Sequence, residues 1–207
     1  MSEPDVLRHS PYTRFVHWGV ALFFLLAALS GFTDYFPKAM AWVAPLFGGR
    51  KGAQFIHPWF SLGFEAFLLL QFFNWYRPML WRAADNGFIR HLTKHILPGK
   101  EPAPPDTGFF NGGQKLYFWF VIASAVVFLG TGLVWWFKSS FSKELYEVCR
   151  TIHRLLAFAV AAGLLVHIYK ATLGEPGVFR SMLRGTVTAQ WARTRRPGWL
   201  RDLRGGH

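Results

Sequence analysis

A chain of 207 residues with 52% apolar side chains and a formal net charge of +12 is long enough for one ordinary soluble domain. The distribution of those residues excludes it: four runs, each of about twenty residues, carry almost no charge, and each is long enough to cross a bilayer core. A helix buried in a soluble bundle keeps a polar stripe that these runs barely show.

In chain order, a short arm with Arg8 and Arg14 leads into the first run, 15–36, which has His17 near its start. That run is too long for a signal-peptide core and lacks a clear small-residue cleavage site, so it is read as a span. The second run, 54–76, carries His57 close to its beginning and Glu65 at its middle. A connection over 77–115 follows. It contains His91 and His95 four positions apart, a Pro-rich extended stretch PGKEPAPPD, and NGGQK at 111–115. The His91/His95 pair has no further ligand nearby and reads as the surface of a short amphipathic piece. The third run is 116–137 and the fourth 149–173, with His153 and His167 in the latter; a basic tail occupies 174–207. There is no internal repeat, no phosphate-binding glycine loop and no nucleophile–base motif.

Lys and Arg divide unevenly between the two sides of such a four-span chain. The arm has two, the central connection six and the part from Lys170 onward eight. The opposite side has seven, Lys38, Arg50, Lys51, Lys138, Lys143, Arg150 and Arg154. The positive-inside tendency therefore puts both termini and the 77–115 connection in the cytoplasm and the first and third loops outside. Trp18, Trp75, Tyr76, Tyr117 and Trp119 then lie near the inner boundary, and Trp42, Trp59, Trp135, Trp136 and Tyr146 near the outer one, as interfacial belts. On a four-span protein the basic tail faces membrane or a partner, not nucleic acid.

Four histidines, His17, His57, His153 and His167, fall within or at the edge of spans, where strongly polar groups are costly and mark function. His153 and His167 are fourteen positions apart, so they share a helix face and are separated along the axis by roughly 21 Å. The topology puts His57 at the depth of His153 near the outer surface, and His17 at the depth of His167 near the inner one. Two imidazoles on facing helices at each depth are the axial set of a b-type haem. A zinc site, a proton relay and four unrelated interfacial histidines are the alternatives. The first lacks a third ligand, the second a ladder of polar groups, and the third makes the depth matching a coincidence. Gly163, one turn before His167, would allow a flat ring to approach or a neighbouring helix to pack closely. The one cysteine, Cys149, excludes an intrachain disulfide, and without C-x-x-C-H there is no covalent haem.

RFVHW at 14–18, IHP at 56–58, NGGQK at 111–115, the IH…VHIY pattern over 152–169 and GTVTAQWARTRRPGW at 185–199 together resemble the cytochrome b556 (gamma) subunit family of membrane-bound formate dehydrogenase, over essentially the whole chain. The resemblance implies two haems b, ligated by His57 with His153 on the outer side and His17 with His167 on the inner side. It also implies a quinone site beside the inner haem, with Asn111, Gly112 and Gln114 as its polar wall. That wall has a physical rationale, since quinone carbonyls need hydrogen-bond donors and access to protons; Asn111 as a helix cap is the competing role. Glu65 departs from what the resemblance leads one to expect and is read as a structural hydrogen-bonding group, with a proton path as its alternative.

The resulting expectation is an all-α membrane protein, a single domain of four transmembrane helices in a bundle with two haems b and both termini cytoplasmic. It would sit in the bacterial inner membrane and take electrons from a periplasmic iron–sulfur (beta) subunit, itself served by a molybdenum or tungsten catalytic (alpha) subunit. It would deliver them to a quinone reduced on this chain, which has no formate-oxidising site. The corresponding cytochrome of a hydrogenase or another molybdoenzyme is the alternative within redox chemistry, and a histidine-based metal-ion carrier the alternative outside it.

Overall fold

The computed structural model describes residues 4–90 and 103–205; His91, His95 and His207 lie outside them. Four long helices account for the four apolar runs: α1 (Pro11–Tyr35), α2 (Gly49–Trp75), then, after a short helix α3 (Asn86–Arg90), α4 (Gly112–Trp136) and α5 (Lys143–Tyr169). The apolar stretch of the last continues to Gly174. Only 17, 17, 22 and 6 per cent of their most apolar windows is buried inside the protein, so most of that surface needs lipid to cover it.

Each helix starts four to six residues before the apolar run that announced it. Ser10 caps α1, its hydroxyl accepting the Thr13 N–H at 3.1 Å. The opening turn of α5, KELYEVCR, is helical but charged, and polar turns of this kind can emerge into the interface beyond the hydrocarbon. Gly48, just ahead of α2, and Gly49, its first residue, adopt φ of 77° and 82°, a left-handed conformation that side chains resist.

The chain falls into two compact units, one of Phe15–Phe73 with Val121–Ala162, the other of Met1–Arg14, Asn74–Phe120 and Gly163–His207. The former is a four-helix bundle. Phe64 and Leu68 of α2 and Ala125 of α4 form its buried core, packed by Val20, Phe23 and Phe24 of α1, while Phe158 of α5 meets Phe32, Tyr35 and Phe36. Small residues let the helices close up: a Cβ on Gly63 would lie 2.3 Å from the Phe23 ring. Asp34 ties the two ends of one connection, accepting from Arg50 at 2.8 Å and Gln54 at 2.6 Å. Glu65 is half-buried in the middle of α2, and the expected hydrogen bond to a neighbouring helix is not seen among the described residues.

The other unit gathers the N-terminal arm, the end of the central connection and the tail. A two-residue strand β1 (Val6–Leu7) pairs antiparallel with β2 (Thr186–Val187). After α6 (Val178–Arg184) and β2, α7 (Ala189–Arg195) and α8 (Pro197–Gly205) follow. Val187, Trp191, Ala192, Trp199 and Leu200 bury a small core, and the Arg8 guanidinium lies over the rings of Phe109 and Trp191 at 4.7 and 4.8 Å.

Lys115, in the first turn of α4, is almost fully buried and pairs with Asp85 at 2.6 Å while donating to the Leu80 carbonyl at 2.9 Å. Removing one member of such a pair strands the other charge, at about 3–5 kcal/mol. Lys115→Met is therefore expected to lower the thermal midpoint of the detergent-solubilised chain, and Asp85→Leu in the same background to restore part of it. A Lys115→Met midpoint equal to the parent's would show that the pair carries no stability.

Candidate functional site

In the four-helix unit, His57 of α2 and His153 of α5 face each other with ring centroids 6.2 Å apart and planes at 71°. Were a metal bound in this part of the bundle, these two rings would be the ones to hold it. The rings are oriented by their other nitrogens. His57 Nδ1 lies 2.9 Å from the Ala27 carbonyl and 3.1 Å from Ser30 Oγ. The Ser30 hydroxyl already donates to Leu26 at 2.7 Å, so toward His57 it accepts. His153 Nδ1 lies 2.9 Å from Thr131 Oγ1, whose hydrogen goes to the Val127 carbonyl at 2.7 Å. Both networks place the ring proton on Nδ1 and leave Nε2, with its lone pair, free of hydrogen bonds among the described residues.

This is the arrangement of metal-bound imidazole, where the second nitrogen donates to a carbonyl or hydroxyl that fixes tautomer and angle. Two glycines follow the two hydroxyls. A Cβ on Gly31 would lie 3.1 Å from His57 Cε1, and one on Gly132 would lie 3.7 Å from His153 Cε1. Trp135 and Phe128 pack edge-on to His153 at 5.9 and 4.9 Å. No group of three or more His, Cys, Asp or Glu positioned for a metal ion is present among the described residues, which disfavours zinc.

The remaining candidates lie elsewhere. His17, near the start of α1, meets the Trp18 ring at 5.8 Å. In the other unit, His167 stacks on Tyr117, with centroids 4.9 Å apart and planes within 10°. Gly163 faces Tyr117 and Phe120, which a Cβ would approach to 3.3 and 3.2 Å, a spacing that close helix packing uses.

Asn111 and Gln114 form a reciprocal cap at the start of α4. Asn111 Oδ1 accepts the Gln114 N–H at 2.9 Å and Gln114 Oε1 accepts the Asn111 N–H at 3.1 Å. Arg196 also donates to Gln114 Oε1 at 3.2 Å and is held by Glu175 at 2.9 Å. With both side-chain oxygens engaged, what the two residues have left to offer is their amide NH2 groups, which are donors. Gly112 lies buried against Phe88, whose Cβ would be 3.0 Å from an added Cβ.

Sequence reading singled out the four histidines but passed over Ser30 and Thr131, and took Tyr117 and Trp135 for belt residues only. A hydroxyl followed by glycine, SG at 30–31 and TG at 131–132, was the available signal.

Four membrane-length helices enclosing paired imidazoles, each with Nε2 held free, define the class: a transmembrane b-type cytochrome. The chain belongs to the prokaryotic cytochrome b561 family, whose model matches residues 8–185, and membership in that family implies haem b. It is 31% identical over 202 residues to the formate dehydrogenase cytochrome b556(fdo) subunit of Escherichia coli (strain K12), covering 96% of this chain and 93% of that one. To the formate dehydrogenase cytochrome b556 subunit of Haemophilus influenzae it is 32% identical over 207 residues, covering 97% and 84%. The nitrate-inducible cytochrome b556(Fdn) subunit of Escherichia coli (strain K12) is 27% identical over 201 residues, covering 96% and 91%.

Loss of a group that orients a metal-bound imidazole typically costs 10–100-fold in metal affinity. If His57 and His153 hold a haem, Thr131→Val is expected to weaken its retention by about that factor, while Thr131→Ser keeps it. Haem titration of the depleted chain provides the readout, and equal affinity in Thr131→Val would remove Thr131 from the site.

Proposed function

We propose that the chain is the membrane-anchor cytochrome b subunit of a formate dehydrogenase complex in the bacterial inner membrane. It takes electrons from a periplasmic iron–sulfur subunit and passes them to a membrane quinone on the cytoplasmic side, with two b haems as its redox groups and formate oxidation on a separate catalytic chain. The observation that carries this reading is the His57–His153 pair, ring centroids 6.2 Å apart, with both Nδ1 atoms anchored. The family and the names of the relatives support it. The second pair, His17 with His167, rests on sequence register and on the resemblance.

Haem b bound at such a pair supplies one-electron transfer through its iron. The helices supply the rest. The Ala27 carbonyl, Ser30 and Thr131 hold the rings at fixed angles, and the apolar core around Phe64 and Leu68 keeps water away. At the start of α4, the amide donors of Asn111 and Gln114 suit quinone oxygens that gain charge on reduction. Gln114 is one turn before Tyr117, which lies against His167, so the proposed quinone wall and the proposed inner ligand belong to one neighbourhood.

His57→Ala and His153→Ala are each expected to lose one haem per chain and keep the other, measured by pyridine haemochromogen content. Two haems remaining in either variant would mean that these residues are not a ligand pair.

Asn111→Asp and Gln114→Glu retain the capping oxygens and remove the amide donors. Stopped-flow reoxidation of the reduced cytochrome by a soluble quinone analogue is expected to slow about tenfold or more, less than the 10²–10³ of a sealed oxyanion site because water substitutes in part. Parent-like rates would leave both residues with the cap alone.

A further inference from the structure

Arg154 follows the proposed ligand His153 directly on α5 and sits in a setting that the cytochrome reading has not used. Its guanidinium lies 4.9 Å from the Tyr35 ring centroid and 5.4 Å from that of Trp135. Trp135 in turn packs against His153. The aromatic pair therefore fixes the cation beside the ligand while giving it no counter-charge. Among the described residues Arg154 makes no hydrogen bond or ion pair. Of the carboxylates in the same unit, Asp34 holds Arg50 and Glu147 holds Arg150 at 2.6 Å, and none pairs with Arg154 among the described residues. One turn before Arg154, Arg150 keeps its Nε buried and unpartnered. A guanidinium half-buried against two rings still has donors to satisfy, and guanidinium donors match carboxylate geometry best.

Resting on the reading that His57 and His153 hold a haem, we propose that Arg154, with Arg150 beside it, binds the propionate carboxylates of that haem. A b-type haem carries two such carboxylates on one edge, so seating it in an apolar bundle leaves two anions to be neutralised. The ligand's own helix provides two arginines one turn apart for the purpose. This arrangement also has an electrostatic consequence. An electron arriving on the iron adds negative charge, and a fixed cation nearby stabilises it by Coulomb attraction that the low dielectric screens weakly. Arg154 is accordingly a positioning residue that raises the reduction potential of this haem. It touches neither the iron nor the quinone.

The test uses the full-length, haem-loaded chain, with haem carrying 13C at its propionate carboxylates. Redox titration of Arg154→Gln is expected to show a tenfold or larger fall in the equilibrium constant for reducing the haem held by His57 and His153, about 59 mV for a one-electron couple. The other haem stays at the parent's potential and acts as the folding control. Arg154→Lys, which keeps the charge, recovers most of the shift. In redox-difference infrared spectra, the 13C-shifted propionate band moves in Arg154→Gln. An unmoved band overturns the proposal even if the potential changes, since Arg154 then acts on some other carboxylate, such as one from a partner chain. If Arg154→Gln loses the haem, the Lys variant decides. Retention with a displaced band supports the proposal, and equal loss in both overturns it. Failure of the ligation reading shows separately, as two haems retained in His57→Ala and His153→Ala with Arg154 intact.

Discussion

The Nδ1–H of a histidine inside a membrane helix bundle has no water to donate to, and much of this structure follows from how that donor is satisfied. His57 uses the Ala27 carbonyl, crowded by Ser30, and His153 uses the Thr131 hydroxyl. Each acceptor belongs to a different helix from the histidine it serves. The bond therefore aims a ring and clamps two helices together, α1 to α2 and α4 to α5. Because the serine and threonine hydrogens are already committed to the carbonyls of Leu26 and Val127, the tautomer has little freedom. Nε2 is left as the one nitrogen with an uncommitted lone pair on each ring.

The same two helices solve the steric side of the problem with the same dipeptide. Ser30–Gly31 on α1 and Thr131–Gly132 on α4 put a hydroxyl at Nδ1 and an absent side chain at Cε1. A methyl group at Gly31 would press on His57 Cε1 at 3.1 Å, tight enough to tilt the ring or part the helices. The outcome is a pair of imidazoles whose separation depends on helix packing that small residues allow, not on flexible side chains finding each other.

Much of this was legible in the sequence and some of it was not, for physical reasons. Hydropathy revealed four spans because the bilayer demands about twenty apolar residues in a row. Depth matching placed His57 with His153 because the connections fix which helix ends face which side. Helix starts were late by four to six residues, because polar turns such as KELYEVCR stay helical where hydropathy no longer signals them. The Nδ1 anchors were invisible because serine and threonine in apolar helices ordinarily bond their own backbone, and only the tertiary fold shows which ones also meet a ring. The Lys115–Asp85 pair and the seating of Arg8 among Phe109, Trp191 and Trp199 likewise join segments about thirty to one hundred and ninety positions apart, beyond any local pattern.

At Asn111 and Gln114 the observed cap and the proposed quinone wall make different demands on the same two carboxamides. A capping box consumes carboxamide oxygens, because the orphan groups at a helix start are N–H donors that need acceptors. The same side chains keep their NH2 groups as donors, the kind of group that the proposed quinone site would use. Arg196 strengthens the division of labour by donating to the Gln114 oxygen, so that flipping this carboxamide would set nitrogen against both the guanidinium and the Asn111 N–H. The cap therefore fixes which end of the amide is available. An Asn-x-x-Gln start at a membrane boundary supplies oriented donors as a by-product of starting the helix, and the buried Arg196–Glu175 pair holds that orientation from the tail.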